Sequence, residues 1–496
     1  MCNPLIRDYR LDKITGANPV RLSSLVVLLC DFVGQKHEDS FSGGVTMTEL
    51  NNEIIEGKIA GPLVTFTMPI FLAMCLQSLY GAVDLLIVGQ FATSADVSAI
   101  ATGAQIMGIV NSIAIGLTTG TTILVGQAIG ARRLEHTGKI IGTAICLFIL
   151  LTVVLTVPME CFAVPIANIM QAPEEAFIQT VQYVRICSAG SLFVIFYNLL
   201  CSVFRGIGDS KTPLIAVTVA SIINILGDLL LVAVFDMGTA GAAIATIGAQ
   251  GISVLVSYVI IRHRGVPFPF GMQYIRFDGQ IVRSTLKMGA PIALQDTLVH
   301  ISFMVIMAIV NGLGVIASAG VGVAERLCSF IMLMPSAFSQ AVSTFVAQNV
   351  GAGKQLRARK VLMVGIGISL SFGVIISYFS FFHGSIMCKI FSKDAMVVEA
   401  AFQYLRAYAI DTLLTSFIFC FFGYFNGCGN TTFVMIQGLI GAFGVRIPVS
   451  ILMSRLEPTS LFLVGLATPA SSFVQLILCV IFFAIVGKKT KPKALE

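Results

Sequence analysis

The chain has 496 residues, of which 56% are hydrophobic and only 11% charged, and its mean hydropathy is +0.92. A soluble globular protein needs a far more charged surface, so that class is excluded. The formal net charge of +6 gathers in loops and tails, with no basic stripe interleaved with aromatics, so no nucleic-acid partner is expected.

Residues 1–60 differ from the rest and read as a cytoplasmic tail. They hold an apolar run from Leu22 to Phe32, about half the length a bilayer requires. Met47 opens a polar leader, Met-Thr-Glu-Leu-Asn-Asn-Glu, so translation is expected to begin there, with residues 1–46 upstream of the start. Apolar runs near a full bilayer length then recur along the chain. They are continuous and do not alternate, which indicates helices and not a barrel. Twelve spans are predicted. Six lie near 63–91, 98–126, 138–160, 181–204, 213–235 and 239–262. Six more lie near 288–312, 316–349, 361–383, 400–425, 432–453 and 460–487. The expected fold is therefore an all-α membrane protein of two six-helix lobes, residues 61–262 and 288–487. A basic connector with Pro267 and Pro269 joins them at 263–287, and a basic tail follows at 488–496.

Arg132, Arg133, Lys139, Arg205, Lys211, Arg357, Arg359 and Lys360 all fall in or beside loops after even-numbered spans. The opposite loops hold Lys389, Lys393 and Arg455, with acids such as Glu174 and Glu175. Lys and Arg stay on the cytoplasmic side, so both termini are expected in the cytoplasm.

The halves repeat. The run from Gly126 to Ala131 matches that from Ala347 to Ala352, and Arg205-Gly-Ile-Gly-Asp209 matches Asn426-Gly-Cys-Gly-Asn430. Both pairs share an offset of 221 residues (348 − 127; 427 − 206). An even number of spans per half gives both halves the same orientation, so they are parallel repeats about an axis along the membrane normal. The glycines in these runs are expected to cap helices and permit tight turns. No Gly-x-x-x-x-Gly-Lys-Ser/Thr occurs, so no nucleotide is expected and an ion gradient must supply the energy.

Two acids lie deep within apolar runs: Asp84 in the first span and Asp228 in the fifth. Asn224 precedes Asp228 by four residues and shares its helix face. A carboxylate at bilayer depth costs several kcal/mol unless paired, so such groups usually mark ion or substrate paths. With Thr246 of the sixth span they form a set of oxygens able to hold Na⁺ or a proton, though an Asp bonded to neighbouring amides and hydroxyls is the structural alternative. Adding 221 to the four positions gives Val305, Val445, Val449 and Ala467, so the N-terminal half is expected to couple the ion. Gln77 and Tyr80 share the face of Asp84, and Asn198 is an amide within the fourth span; these three line a substrate cavity or bond across helices. Asp296 and His300 are spaced to satisfy each other, Asp411 also lies within a span, and Glu325-Arg326 reads as structural. Cysteines are scattered without a Cys-x-x-Cys pair and read as packing residues.

The first span (Pro69, Tyr80, Asp84, Val88-Gly89), the run from Arg205 to Pro213 and the repeated halves resemble the MATE family, the multidrug and toxic compound extrusion transporters, over about residues 60–487. With its acids in the first lobe, the chain looks like the bacterial DinF-like and MepA-like branch. That resemblance implies a monomeric antiporter of the bacterial inner membrane, embedded in lipid. It would export cationic amphipathic drugs in exchange for Na⁺ or H⁺, with no other cofactor, as two lobes rock about a central cavity. It places the ion at Asp84, Asn224, Asp228 and Thr246, and substrate at Gln77, Tyr80 and Asn198. A flippase for a lipid-linked sugar would call for a cationic cavity, whereas Arg and Lys here crowd the loops. An enzyme would need converging catalytic groups, and the five histidines are scattered.

Overall fold

The computed structural model describes residues 53–456 and 460–489. Among these residues there are helices and turns and no strand. The spans are α1 (Ala60–Phe91), α2 (Ser94–Gly130), α3 (Leu134–Cys161), α4, α5 (Lys211–Val234), α6 (Gly238–Arg264), α7 (Gly279–Asn311), α8 (Val315–Gly351), α9 (Gln355–Cys388), α10 (Ala395–Gly427), α11 (Thr431–Ser454) and α12 (Leu461–Ile485). The fourth, α4, is a bent pair, Glu174–Ala189 and Ser191–Ile207, meeting at 49°. The twelve predicted spans are all present, with ends moved by up to nine residues: α7 begins at Gly279, inside the stretch 263–287 expected as a connector, so the link after α6 is only residues 265–278. The expected start at Met47 and the tail beyond Lys489 lie outside the described residues.

Composition explains the helices' surfaces. Leu150, Val153, Val154 and Val157 on α3 and Phe379, Phe382 and Ile386 on α9 are exposed. A helix apolar all round is stable only where its outside meets hydrocarbon.

Local sequence sets the breaks. Thr93 and Asp96 cap the start of α2 reciprocally. Gly208 closes α4 at φ +96°, and the Asp209 carboxylate then accepts from the backbone N–H groups of Lys211 and Thr212 to start α5. Its repeat partner Gly429 ends α10 at φ +82°. Both conformations suit glycine, as the expected capping role requires. α1 runs unbroken through Pro69. The irregular backbone lies elsewhere. α5 ends in a π-helical segment, Leu229–Val234, beginning just after Asp228, and α11 contains another, Ile440–Arg446. Such wide turns mark functional sites more often than regular helix does.

The first and seventh helices cross between halves. Early in α1, Leu63, Phe66 and Ile70 pack into a core with Phe338, Phe345 and Phe425 of the C-terminal half. Late in α1, Ile87 and Val88 pack with Ile100, Tyr183 and Ala242 of their own half. α7 mirrors this: Ile292 meets Ile123 of α2, and Ile306 and Val310 join the C-terminal core.

At one end the halves are tied directly. Gln127 donates from Nε2 to the Gly427 carbonyl at 3.1 Å, and its repeat partner Gln348 donates to the Gly206 carbonyl at 3.0 Å. A Cβ on Gly130 would collide with the Gln348 carbonyl, and one on Gly351 with that of Gln127. The two motifs that revealed the duplication are thus the contacts across its axis. Further along, Gly120 of α2 passes so close to Gly289 of α7 that a Cβ would stand 2.8 Å from its N atom. Small residues allow this approach between membrane helices. The guanidinium of Arg357 donates to the Gly57 and Glu56 carbonyls at 2.8 and 2.9 Å, fastening the chain just before α1 to the start of α9.

Candidate functional site

α5 packs between α1 and α6. That arrangement brings together the three segments carrying the predicted ion-site residues. Asn224 and Asp228, one turn apart, are 1% and 0% exposed, and Asp84 is 7% exposed. The Asp84 carboxyl faces both the Asp228 carboxyl and the Thr246 hydroxyl. Yet no hydrogen bond of regular geometry closes the set. Asp84 Oδ1, both Asp228 oxygens, both polar side-chain atoms of Asn224 and Thr246 Oγ1 are buried without partners.

Buried polar groups are ordinarily hydrogen-bonded, and an unpaired one costs about 1–3 kcal/mol. Six such atoms gather here on three adjacent helices. Facing carboxylates in a low dielectric repel unless a cation or proton sits between them. Two carboxyls, an amide oxygen and a hydroxyl suit a hard cation, which prefers oxygen ligands. Among the described residues no three His, Cys, Asp or Glu side chains converge as metal ligands do. The chemistry on offer is oxygen, not imidazole or thiolate.

Tyr80, one turn before Asp84, accepts a hydrogen bond on its hydroxyl from Gln250 Nε2 at 3.4 Å. Gln250 Oε1 is itself buried without a partner. The sequence reading passed over Gln250, although it follows Thr246 by four residues on α6 and so shares its face. It also passed over Tyr183 of α4, buried beside Ile87 and Ala242. Gln77 is half-buried on α1. Asn198 does not join this cluster: its Nδ2 donates to Asn111 Oδ1 of α2 at 3.1 Å and to the Val194 carbonyl at 2.9 Å. Of its two alternatives, the structure shows the cross-helix bond.

The C-terminal half differs from expectation. No hydrogen bond or ion pair joins Asp296 to His300; Asp296 is half-buried and His300 exposed. Arg326 is exposed, whereas Glu325 is half-buried with Oε1 unpartnered. Asp411 is 2% exposed and faces the Ser472 hydroxyl. The half is also not without a polar set, because the sequence comparison at a fixed offset overlooked a buried arginine, Arg446, 6% exposed on α11.

The MatE family profile matches the chain twice, over residues 69–230 and 291–452, once in each half. The chain belongs to the MATE family of transporters. Among its relatives is the probable multidrug resistance protein YoeA of Bacillus subtilis, 27% identical over 86% of this chain and 93% of that one. The FAD transporter of Shewanella oneidensis is 25% identical over 70% of this chain and 77% of that one. A crystal structure of MATE in complex with MaL6 superposes with a TM-score of 0.83 at 19% identity, covering 89% of this chain and 99% of that one, and so shares the fold. The protein is accordingly a multi-pass membrane transporter of two repeated halves. Its family is one of transporters, not enzymes, with small molecules as cargo.

Proposed function

We propose that this MATE transporter is a secondary antiporter of the bacterial inner membrane, exporting cationic amphipathic compounds in exchange for Na⁺ or H⁺. The observation that carries the reading is the set of unpartnered buried oxygens at Asp84, Asn224, Asp228 and Thr246. The ion binds there while the transporter faces outward, draws α1 and α5 together, and leaves to the cytoplasm once it faces inward. Drug, with Gln77 and Tyr80 beside its path, favours the opposite state, which is what coupling requires.

The two six-helix halves move as two bodies in a monomer, with residues 265–278, between α6 and α7, as a cytoplasmic connector. The Lys and Arg bias puts both termini in the cytoplasm. The end fastened by Gln127 and Gln348 is then the cytoplasmic one in this reading. The name of YoeA supports drugs as cargo.

The test is ethidium efflux from energised vesicles, driven separately by a Na⁺ gradient and a pH gradient. One gradient drives efflux in the wild type, and Asp84→Asn and Asp228→Asn each abolish it. Wild type that moves no dye under either gradient overturns drug export. A second reading, export of a dedicated metabolite, is favoured by the likeness to a FAD transporter. Flavin efflux without dye efflux would establish it.

A further inference from the structure

The two profile matches begin and end 222 residues apart (291 − 69; 452 − 230). That is one more than the offset of the loop motifs. At 222, Asn224 falls on Arg446, Thr246 on Thr468 and Tyr80 on Ser302. The structure joins two of these three C-terminal residues, Arg446 and Ser302. Arg446 is the last residue of the π-helical segment in α11. Its Nη1 donates to Ser302 Oγ on α7 at 3.1 Å, and its guanidinium carbon lies 4.4 Å from the Phe303 ring centroid. Its Nε has no partner. Thr468 Oγ1, like Thr246 Oγ1, is buried and unpartnered. Asp411, on α10, lies within Coulombic reach of Arg446 and leaves Oδ1 without a partner. Tyr404 and Tyr408, with ring centroids 5.7 Å apart, stand within Coulombic reach of both charges.

We infer that Arg446 is a built-in cation. It occupies, in the C-terminal half, the position that a mobile ion takes in the N-terminal half. A guanidinium does not deprotonate in proteins, so its charge is permanent. Burial of that charge is costly without a counter-charge, and Asp411 supplies one through the low-dielectric interior. Asp411 therefore stays neutralised throughout the cycle and recruits no ion from solution. Only the N-terminal half loads and unloads, which sets one coupling site per transport cycle. This inference rests on the ion-coupling reading of Asp84 and Asp228.

The experiment compares melting of the purified full-length protein by circular dichroism, in sodium chloride and in choline chloride. Arg446→Gln leaves Asp411 without its counter-charge and lowers the melting temperature in choline by several degrees. Sodium recovers part of the loss, and the second substitution in Arg446→Gln/Asp411→Asn recovers most of it without sodium. Where Arg446→Gln fails to fold, the same double variant decides: folding supports the pairing and failure overturns it. Equal melting of the single and double variants overturns it too. The double variant Arg446→Gln/Asp411→Asn, which strands neither charge, keeps gradient-driven ethidium efflux within twofold of wild type; abolished efflux in that folded variant would show that the C-terminal acid loads an ion and would overturn the inference. Failure of the coupling reading shows separately, as efflux retained in Asp228→Asn, and leaves the melting results standing.

Discussion

The two halves share one helix plan, yet their buried polar sets differ: neutral Asn224 of one half is matched by a charged Arg446 in the other, while Asp84 and Asp228 are matched by Ile306 and Ser450. In the N-terminal half Asp84, Asn224 and Asp228 converge with no fixed cation among them. In the C-terminal half Arg446 is already in place beside Ser302, with Asp411 near it. A charge supplied by a side chain needs no gradient, whereas a charge that must come from solution can be made to do work. On the proposed coupling, duplication provided two polar sets of one design, of which one is left open to a ligand.

Removing the open site should have the largest effect. Asp228→Asn keeps the shape but deletes the charge and exchanges one acceptor oxygen for an N–H donor, and efflux under the driving gradient should fall by about tenfold or more, the scale of a typical coupling free energy. Retained efflux would erase the difference between the halves. Next come the glycines at the crossing. Gly351→Ala drives a Cβ into the Gln127 carbonyl and Gly130→Ala one into that of Gln348. Each should disfavour the fastened state and lower melting temperature and efflux together. The paired glutamines follow. Gln127→Ala and Gln348→Ala each lose a hydrogen bond worth about 1 kcal/mol. Maleimide labelling of the native Cys428, beside the Gly427 acceptor, should rise several-fold in each variant and multiply in the double. Equal effects would confirm that the halves share the latch evenly; unequal ones would sharpen the asymmetry already seen in their charges. The smallest effect belongs to Asn111→Ala. It leaves Asn198 its bond to Val194 and should cost about 1 kcal/mol in stability, with efflux close to wild type.

Much of this was legible in the residues. Runs of apolar side chains at bilayer length mark the spans, and Gly208 and Gly429 mark where helices end. Acids as scarce and as deep as Asp84 and Asp228 stand out against hydrocarbon. What escaped was whatever depends on one residue of register. A π-helical segment shifts the face that follows it, so a constant offset set Val445 against Asn224 and missed Arg446. Gln250 and Asn111 are ordinary polar residues in helices, and only the packing of α6 against α1 or α2 against α4 shows what they meet. The bend in α4 at Gly190 carries no proline to announce it.

The reciprocal bonds of Gln127 to Gly427 and Gln348 to Gly206 have a further consequence. Residue i meeting j while j meets i is the pattern of an isologous interface in a twofold dimer. A six-span unit standing alone as a homodimer would make both bonds with a single glutamine and a single glycine. In such a pair every substitution appears twice, so an arginine gained for one site would also be forced on the other. Fusion into one chain frees the copies to diverge while the interface that joins them stays symmetric. Asp228 and Arg446 can then belong to the same molecule, each in one half of a symmetric joint.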